Sequence, residues 1–123
     1  MEDELVQLAT VYASPGLLLL AQTDAGDRVG CVGLRSLTAP DGTLIGEMRR
    51  LFVRRSHRKD GVGGALVDAL IRHARAEGLT RLVLNTLPAM SAAHKLYETV
   101  GFEPSPPHVS DPAEGTLYFS LDL

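Results

Sequence analysis

The stretch that decides the fold is Glu47 to Leu66, EMRRLFVRRSHRKDGVGGAL. Glu47 to Val53 reads as a strand closing on the apolar run Leu51-Phe52-Val53. Arg54 to Asp60 is a charged loop. Gly61 to Leu66, with Gly61, Gly63 and Gly64, opens a helix. The first turn of a helix leaves N–H groups without intrahelical partners, and the helix dipole is positive at that end. A glycine-rich turn there lets an anion approach the backbone, so this is a natural phosphate seat.

Charge points the same way. Arg49, Arg50, Arg54, Arg55, Arg58 and Lys59 are half of the chain's 12 Lys and Arg residues, in a chain of formal charge −3. The basic cluster is local, which suits a phosphorylated ligand better than nucleic acid. Three Phe and three Tyr also offer little for base stacking. No Gly-Lys-Ser/Thr follows the glycines, so this is not a Walker loop. The dinucleotide spacing G-x-G-x-x-G is missing too.

Arg58-Lys59-Asp60-Gly61-Val62-Gly63 does fit the R/Q-x-x-G-x-G/A loop of the GNAT superfamily of N-acetyltransferases. A second motif follows in the right order about 30 residues on. Ala93 to Phe102, AHKLYETVGF, fits the GNAT pattern A-x-x-L-Y-x-x-x-G-F. The resemblance covers roughly Val29 to Leu123. It implies an α/β (α+β) fold with a mixed, mostly antiparallel central sheet, a splayed parallel pair and flanking helices. It also implies acetyl-CoA as co-substrate. Arg58, Lys59, Asp60, Gly61, Val62, Gly63, Gly64 and Ala65 would hold its pyrophosphate. The strand residues Leu51, Phe52 and Val53 would pair with the pantetheine arm.

The sequence departs from the family pattern in two places. Many members carry Asn where this chain has Met90. The family domain usually opens with a strand and a helix ahead of what reads here as the first helix, so the chain resembles a short or N-terminally truncated member.

The rest of the chain supplies a frame for these motifs. A length of 123 residues and 45% apolar composition suit one domain, 1–123. Glu2 to Ala13 reads as a one-faced helix from Leu5, Leu8, Ala9 and Tyr12, closed by Ser14-Pro15-Gly16. Leu17 to Gln22 and Val29 to Leu37 read as a hairpin, and Thr43 to Val53 as a third strand. The glycine-loop helix runs from about Val62 to Glu77, with Gly78 as its stop. Arg81 to Thr86 is a buried strand, so this strand, helix and strand form a parallel crossover. Pro88 to Val100 is a second helix with Ala93, Leu96, Tyr97 and Val100 on its core face. Phe102 starts a further strand. Thr116 to Leu123 alternates as a half-buried antiparallel strand. With nothing ahead of it, Leu17 to Gln22 would be an apolar sheet edge, which predicts a two-fold homodimer.

Single Cys31 cannot form an intrachain disulfide, and no segment reaches the ~20 apolar residues of a membrane span. These features predict a cytoplasmic protein with no membrane or nucleic-acid partner. No His, Cys or carboxylate set has metal spacing, so no metal is expected. His57, His94 and His108 have no partner identifiable from sequence; His108, in the Pro-rich loop, could line an acceptor pocket.

Acetyl transfer to an amine needs a polarised thioester, a deprotonated amine and a stabilised thiolate. It needs no protein nucleophile, and none is evident. Resemblance to E-x-x-R-L-x-V makes Glu47 the candidate base, directly or through a water, with an ion-pair role as the plainer alternative. The resemblance likewise makes Tyr97 the candidate acid, with a core role as its alternative. The expected function is an acetyl-CoA-dependent N-acetyltransferase acting on a small amine, an amino acid or a peptide amine. The alternative is a non-catalytic acyl-CoA sensor or interaction module, which needs neither Glu47 nor Tyr97.

Overall fold

The computed structural model describes residues 6–13, 16–58, 60–109 and 111–123. A seven-stranded sheet runs in the order β1-β2-β3-β4-β5-β7-β6. Its strands are β1 (Val6–Ala13), β2 (Gly16–Thr23), β3 (Arg28–Thr38), β4 (Leu44–Val53), β5 (Arg81–Thr86), β6 (Glu103–Pro104) and β7 (Leu117–Asp122). Helix α1 (Val62–Ala76) connects β4 to β5, and α2 (Ser91–Val100) leads towards β6. All pairings are antiparallel except β4 with β5.

The first element corrects the sequence reading. Residues 6–13 form a strand, not part of a helix; residues 2–5 lie outside the described residues. The spacing of Leu8, Ala9 and Tyr12 allowed either periodicity. Val6, Thr10, Val11 and Tyr12 are residues that favour strands. The deciding factor is non-local: β2 has β3 on one side and an open ladder on the other. β1 fills that ladder over eight register pairs, from Val6 with Thr23 to Ala13 with Gly16. Leu17 to Leu20 is therefore paired on both sides, and the edge that motivated the expected homodimer does not exist there.

Both helices pack into one apolar core with the sheet. Leu66, Val67 and Leu70 of α1 are fully buried against Leu19, Val29, Val32, Leu82 and Leu84 of the strands. Tyr97 of α2 joins them with Phe102 and Phe119. Gly46 lets this layer close: a Cβ there would lie 2.8 Å from Leu34 and 2.9 Å from both Leu79 and Leu82. A smaller cluster of Ala39, Ile45 and Val83 covers other ground. On β7, the expected one-sided burial fails at the start of the strand. Leu117 is 39% exposed, whereas Tyr118 is buried, its ring met edge-on by His108 at 5.3 Å.

β4 carries the feature that shapes the site. Gly33 pairs with Arg49 and Cys31 with Phe52, so Val32 alone faces Arg50 and Leu51. This is a β-bulge, with Arg50 at φ 57°. The bulge changes which residues meet the main core. Met48 does so before it; Leu51 and Val53 do so after it. Phe52 is left 53% exposed.

Candidate active site

β4 and β5 are held together only at Gly46–Leu82 and Glu47–Val83. Beyond Glu47 the ladder stops, although β4 continues to Val53 and β5 to Thr86. The strands part there, and β4 bulges at Arg50 and Leu51 in the following stretch, which β5 does not pair. A cavity of about 470 Å³ occupies the gap. Its walls include Leu51 of β4, Asn85 and Thr86 of β5, Tyr97 of α2, and Val109 of the segment before β7. Met90, where an Asn was expected on family grounds, also lines it.

Glu47 stands where the ladder ends and lines the cavity, with its side chain 5% exposed. Arg35 lies directly opposite on β3 and donates from Nη2 to Oε1 at 2.8 Å. Arg49, two residues along β4, places Nε 3.5 Å from the same oxygen. The other oxygen, Oε2, lies 2.9 Å from Nε2 of His108. With the ring proton on Nε2, His108 donates and its buried Nδ1 has no partner. Sequence reasoning left His108 without a partner. It gives no signal for this contact, because 61 residues separate the two groups.

Tyr97 is a core residue that also reaches the cavity. Its ring packs against Phe102 and Phe119, with centroids 5.8 and 6.1 Å apart. Burial raises its hydroxyl pKa above the ordinary tyrosine value, so the neutral O–H persists at neutral pH.

The glycine loop follows a single 3-10 turn, Arg55–His57. Arg58 is exposed, and its Nε donates to the Val53 carbonyl at 2.9 Å, tying the loop to the end of β4. Lys59 lies outside the described residues. Gly61 is the N-cap of α1 in the left-handed conformation, φ 77°, with no side-chain capping bond. The first intrahelical bond runs from the Ala65 N–H to the Gly61 carbonyl, so the N–H groups of Val62, Gly63 and Gly64 precede it. This donor set fits a phosphate-bearing group. Of the expected pantetheine residues, Leu51 borders the cavity, while Phe52 and Val53 do not line it. Gly63 differs from the sequence reading in what surrounds it. A Cβ there would lie 3.2 Å from Leu96 and 3.6 Å from Val53, so its small size serves the packing of α1 against α2. Gly61 and Gly64 face open space.

The sequence profile of the Acetyltransferase (GNAT) family matches residues 2–102. The chain belongs to that family. Acetyl transfer from acetyl-CoA to an amine is general for GNAT enzymes, and membership makes this chain an acetyl-CoA-dependent acyltransferase by class. An uncharacterized N-acetyltransferase of Schizosaccharomyces pombe is 31% identical over 124 residues, covering the whole chain and 74% of the relative. Human N-acetyltransferase 8 is 35% identical over 78 residues, 61% of this chain and 34% of that protein. The GNAT chain therefore spans about a third of some relatives and most of others. Among solved structures, a GNAT acetyltransferase from Elizabethkingia anophelis with acetyl-CoA bound superposes with TM-score 0.75 at 17% identity, covering 96% of this chain and 98% of that one. A Klebsiella pneumoniae protein, proposed to be an acyl-CoA N-acyltransferase, gives TM-score 0.84 at 20% identity over 96% and 97% of the two chains. At such identities the likeness is one of fold, and it bears out the mixed sheet with its parting parallel pair.

Proposed function

We propose that this chain transfers the acetyl group of acetyl-CoA to a primary amine by direct attack, with Glu47 as base and Tyr97 as acid. The observation that carries this reading is the position of Glu47. It is a buried carboxylate at the point where β4 and β5 part, bordering the same cavity as the Tyr97 residue. A module that only held acyl-CoA would need neither group there.

The pyrophosphate would sit on the N–H groups of Val62, Gly63 and Gly64 at the start of α1, with Arg58 beside it. The strand edge of β4 beyond Glu47, which has no β5 partner, would take the pantetheine amides. Glu47 takes a proton from the ammonium, directly or through one water. The freed nitrogen lone pair then forms a bond to the thioester carbon. The adduct nitrogen gives up its surplus proton to solvent, the C–S bond breaks, and its electron pair leaves on sulfur, giving the amide and the CoA thiolate. Tyr97 donates a hydrogen bond to that thiolate. A tyrosine pKa of ~10 exceeds that of a thiol, ~8.5, so stabilisation rather than full proton transfer is asked of it. The amine would be a small molecule, an amino acid or a peptide terminus.

The test is a screen of amine acceptors with acetyl-CoA, read by thiol release. Release that depends on the amine and yields the N-acetyl product is the expected result. Acetyl-CoA binding without release across the panel would return the chain to the sensor reading.

A further inference from the structure

We propose that the acceptor is a small amine carrying its own carboxylate, with Arg50 as the residue that binds that carboxylate. This rests on the acetyl-transfer reading above and specifies its substrate class.

Three arginines, Arg35, Arg49 and Arg50, are among the residues lining the cavity, against the single acidic residue Glu47. This surplus of positive charge sits in a chain of formal charge −3. The partners are unevenly shared. Arg35 and Arg49 both address Oε1 of Glu47. The Arg50 guanidinium has no hydrogen bond or ion pair with any described residue. Both oxygens of Glu47 already have neighbours within reach, so Arg50 is not needed to hold it.

The backbone explains why Arg50 is there. In a regular strand, consecutive side chains point to opposite faces. Here residues 47 to 51 of β4 all line the cavity, and the bulge that interrupts the alternation falls at Arg50 and Leu51. Arg50 stands at φ 57°, a conformation uncommon for any residue but glycine. Bulges beside active sites commonly redirect a side chain.

The arrangement is complementary to a zwitterion. An ammonium approaching Glu47 meets its one negative group. An amine with no negative charge of its own would also meet the surplus arginine charge, which repels it. A carboxylate on the same molecule removes that penalty and offers Arg50 a planar, charge-assisted partner. The phosphates of acetyl-CoA are assigned a separate seat at the start of α1, beyond the 3-10 turn.

Steady-state kinetics with acetyl-CoA and matched acceptors tests this, using α-amino acids and their carboxamides, such as glycine against glycinamide. Wild type should favour the carboxylate form in kcat/KM by about ten- to a hundredfold, the range of one hydrogen-bonded charge pair. Arg50→Gln should bring that ratio close to one with the KM for acetyl-CoA unchanged. Arg50→Gly removes the same charge while relieving the left-handed backbone, so it keeps the measurement open if the Gln variant folds poorly. A wild-type preference for the amide, or a ratio untouched in both variants, overturns the proposal. So does a raised acetyl-CoA KM with the ratio unchanged, which would assign Arg50 to the cofactor. If no amine is acetylated, the transfer reading fails on its own. Calorimetry of N-acetylglycine against its amide on CoA-saturated protein then decides this one. Binding that needs both the carboxylate and Arg50 supports it; equal binding of the two sinks it.

Discussion

Nε2 of His108 lies 2.9 Å from Oε2 of Glu47, and both side chains are more than nine-tenths buried. The contact ties the Pro-rich segment before β7 to the end of the parallel ladder. It should therefore matter both to stability and to the placement of Glu47. His108→Ala leaves a buried carboxylate oxygen without its donor, which typically costs ~1–3 kcal/mol. A lower melting temperature and lower turnover are expected. His108→Gln offers an amide N–H near the same point and should recover much of both. An alanine variant that melts and turns over like wild type would show that the contact is incidental.

Glu47→Gln should lower kcat by ~10²–10⁴-fold, the usual loss when a base is removed. Acetyl-CoA affinity should hold, because the base acts on the amine. The loss of ion pairing with Arg35 and Arg49 should cost little, since both arginine side chains are 41–46% exposed. Full activity across the pH range would make Glu47 an anchor for Arg35 and leave the base elsewhere.

Tyr97→Phe keeps the ring contacts with Phe102 and Phe119, so its melting temperature should stay close to wild type. Its kcat should fall by ~10², the scale of one lost donor to a developing charge. The pH dependence carries a sign. Burial disfavours the phenolate, so the hydroxyl keeps its proton to higher pH than a free tyrosine. Any activity lost through its ionisation should therefore appear only above pH ~10 and be missing in the Phe variant. A wild-type tyrosine limb near pH 8 would contradict the burial argument. Large destabilisation with normal turnover would leave Tyr97 a core residue alone.

Gly61→Val tests the phosphate seat more cleanly than a change at Gly63, which would strike Leu96. Nothing lies within 4 Å of a Cβ at Gly61, so packing is spared. Its φ of 77° is strained for a β-branched residue by ~1–3 kcal/mol. The loop should shift, and calorimetry should show acetyl-CoA bound at least tenfold more weakly. Unchanged affinity with the fold intact would remove the α1 N-terminus from the cofactor site.

The sequence alone determined the glycine turn opening α1, the crossover from β4 to β5, the β2–β3 hairpin and the core face of α2. Each is written in local spacing: Gly61 at the start of a 3.6-residue pattern, Leu66 and Leu70 one turn apart, Gly78 at its end. Local spacing also placed Glu47 on a strand and Tyr97 on a helix. Tertiary structure decided what these residues meet. Residues 6–13 became a strand because β2 had an open ladder to fill, a demand that no pattern within those residues expresses. The bulge at Arg50 arises from the register of β4 on β3, so Leu51-Phe52-Val53 reads as an even apolar run while Phe52 is turned outward. The small size of Gly63 answers to Leu96 from another helix. The neighbour of Glu47 Oε2 is a histidine 61 residues away. Side-chain periodicity is a property of one element, whereas register, close approach and long-range hydrogen bonds belong to pairs of elements, and only the folded chain brings those pairs together.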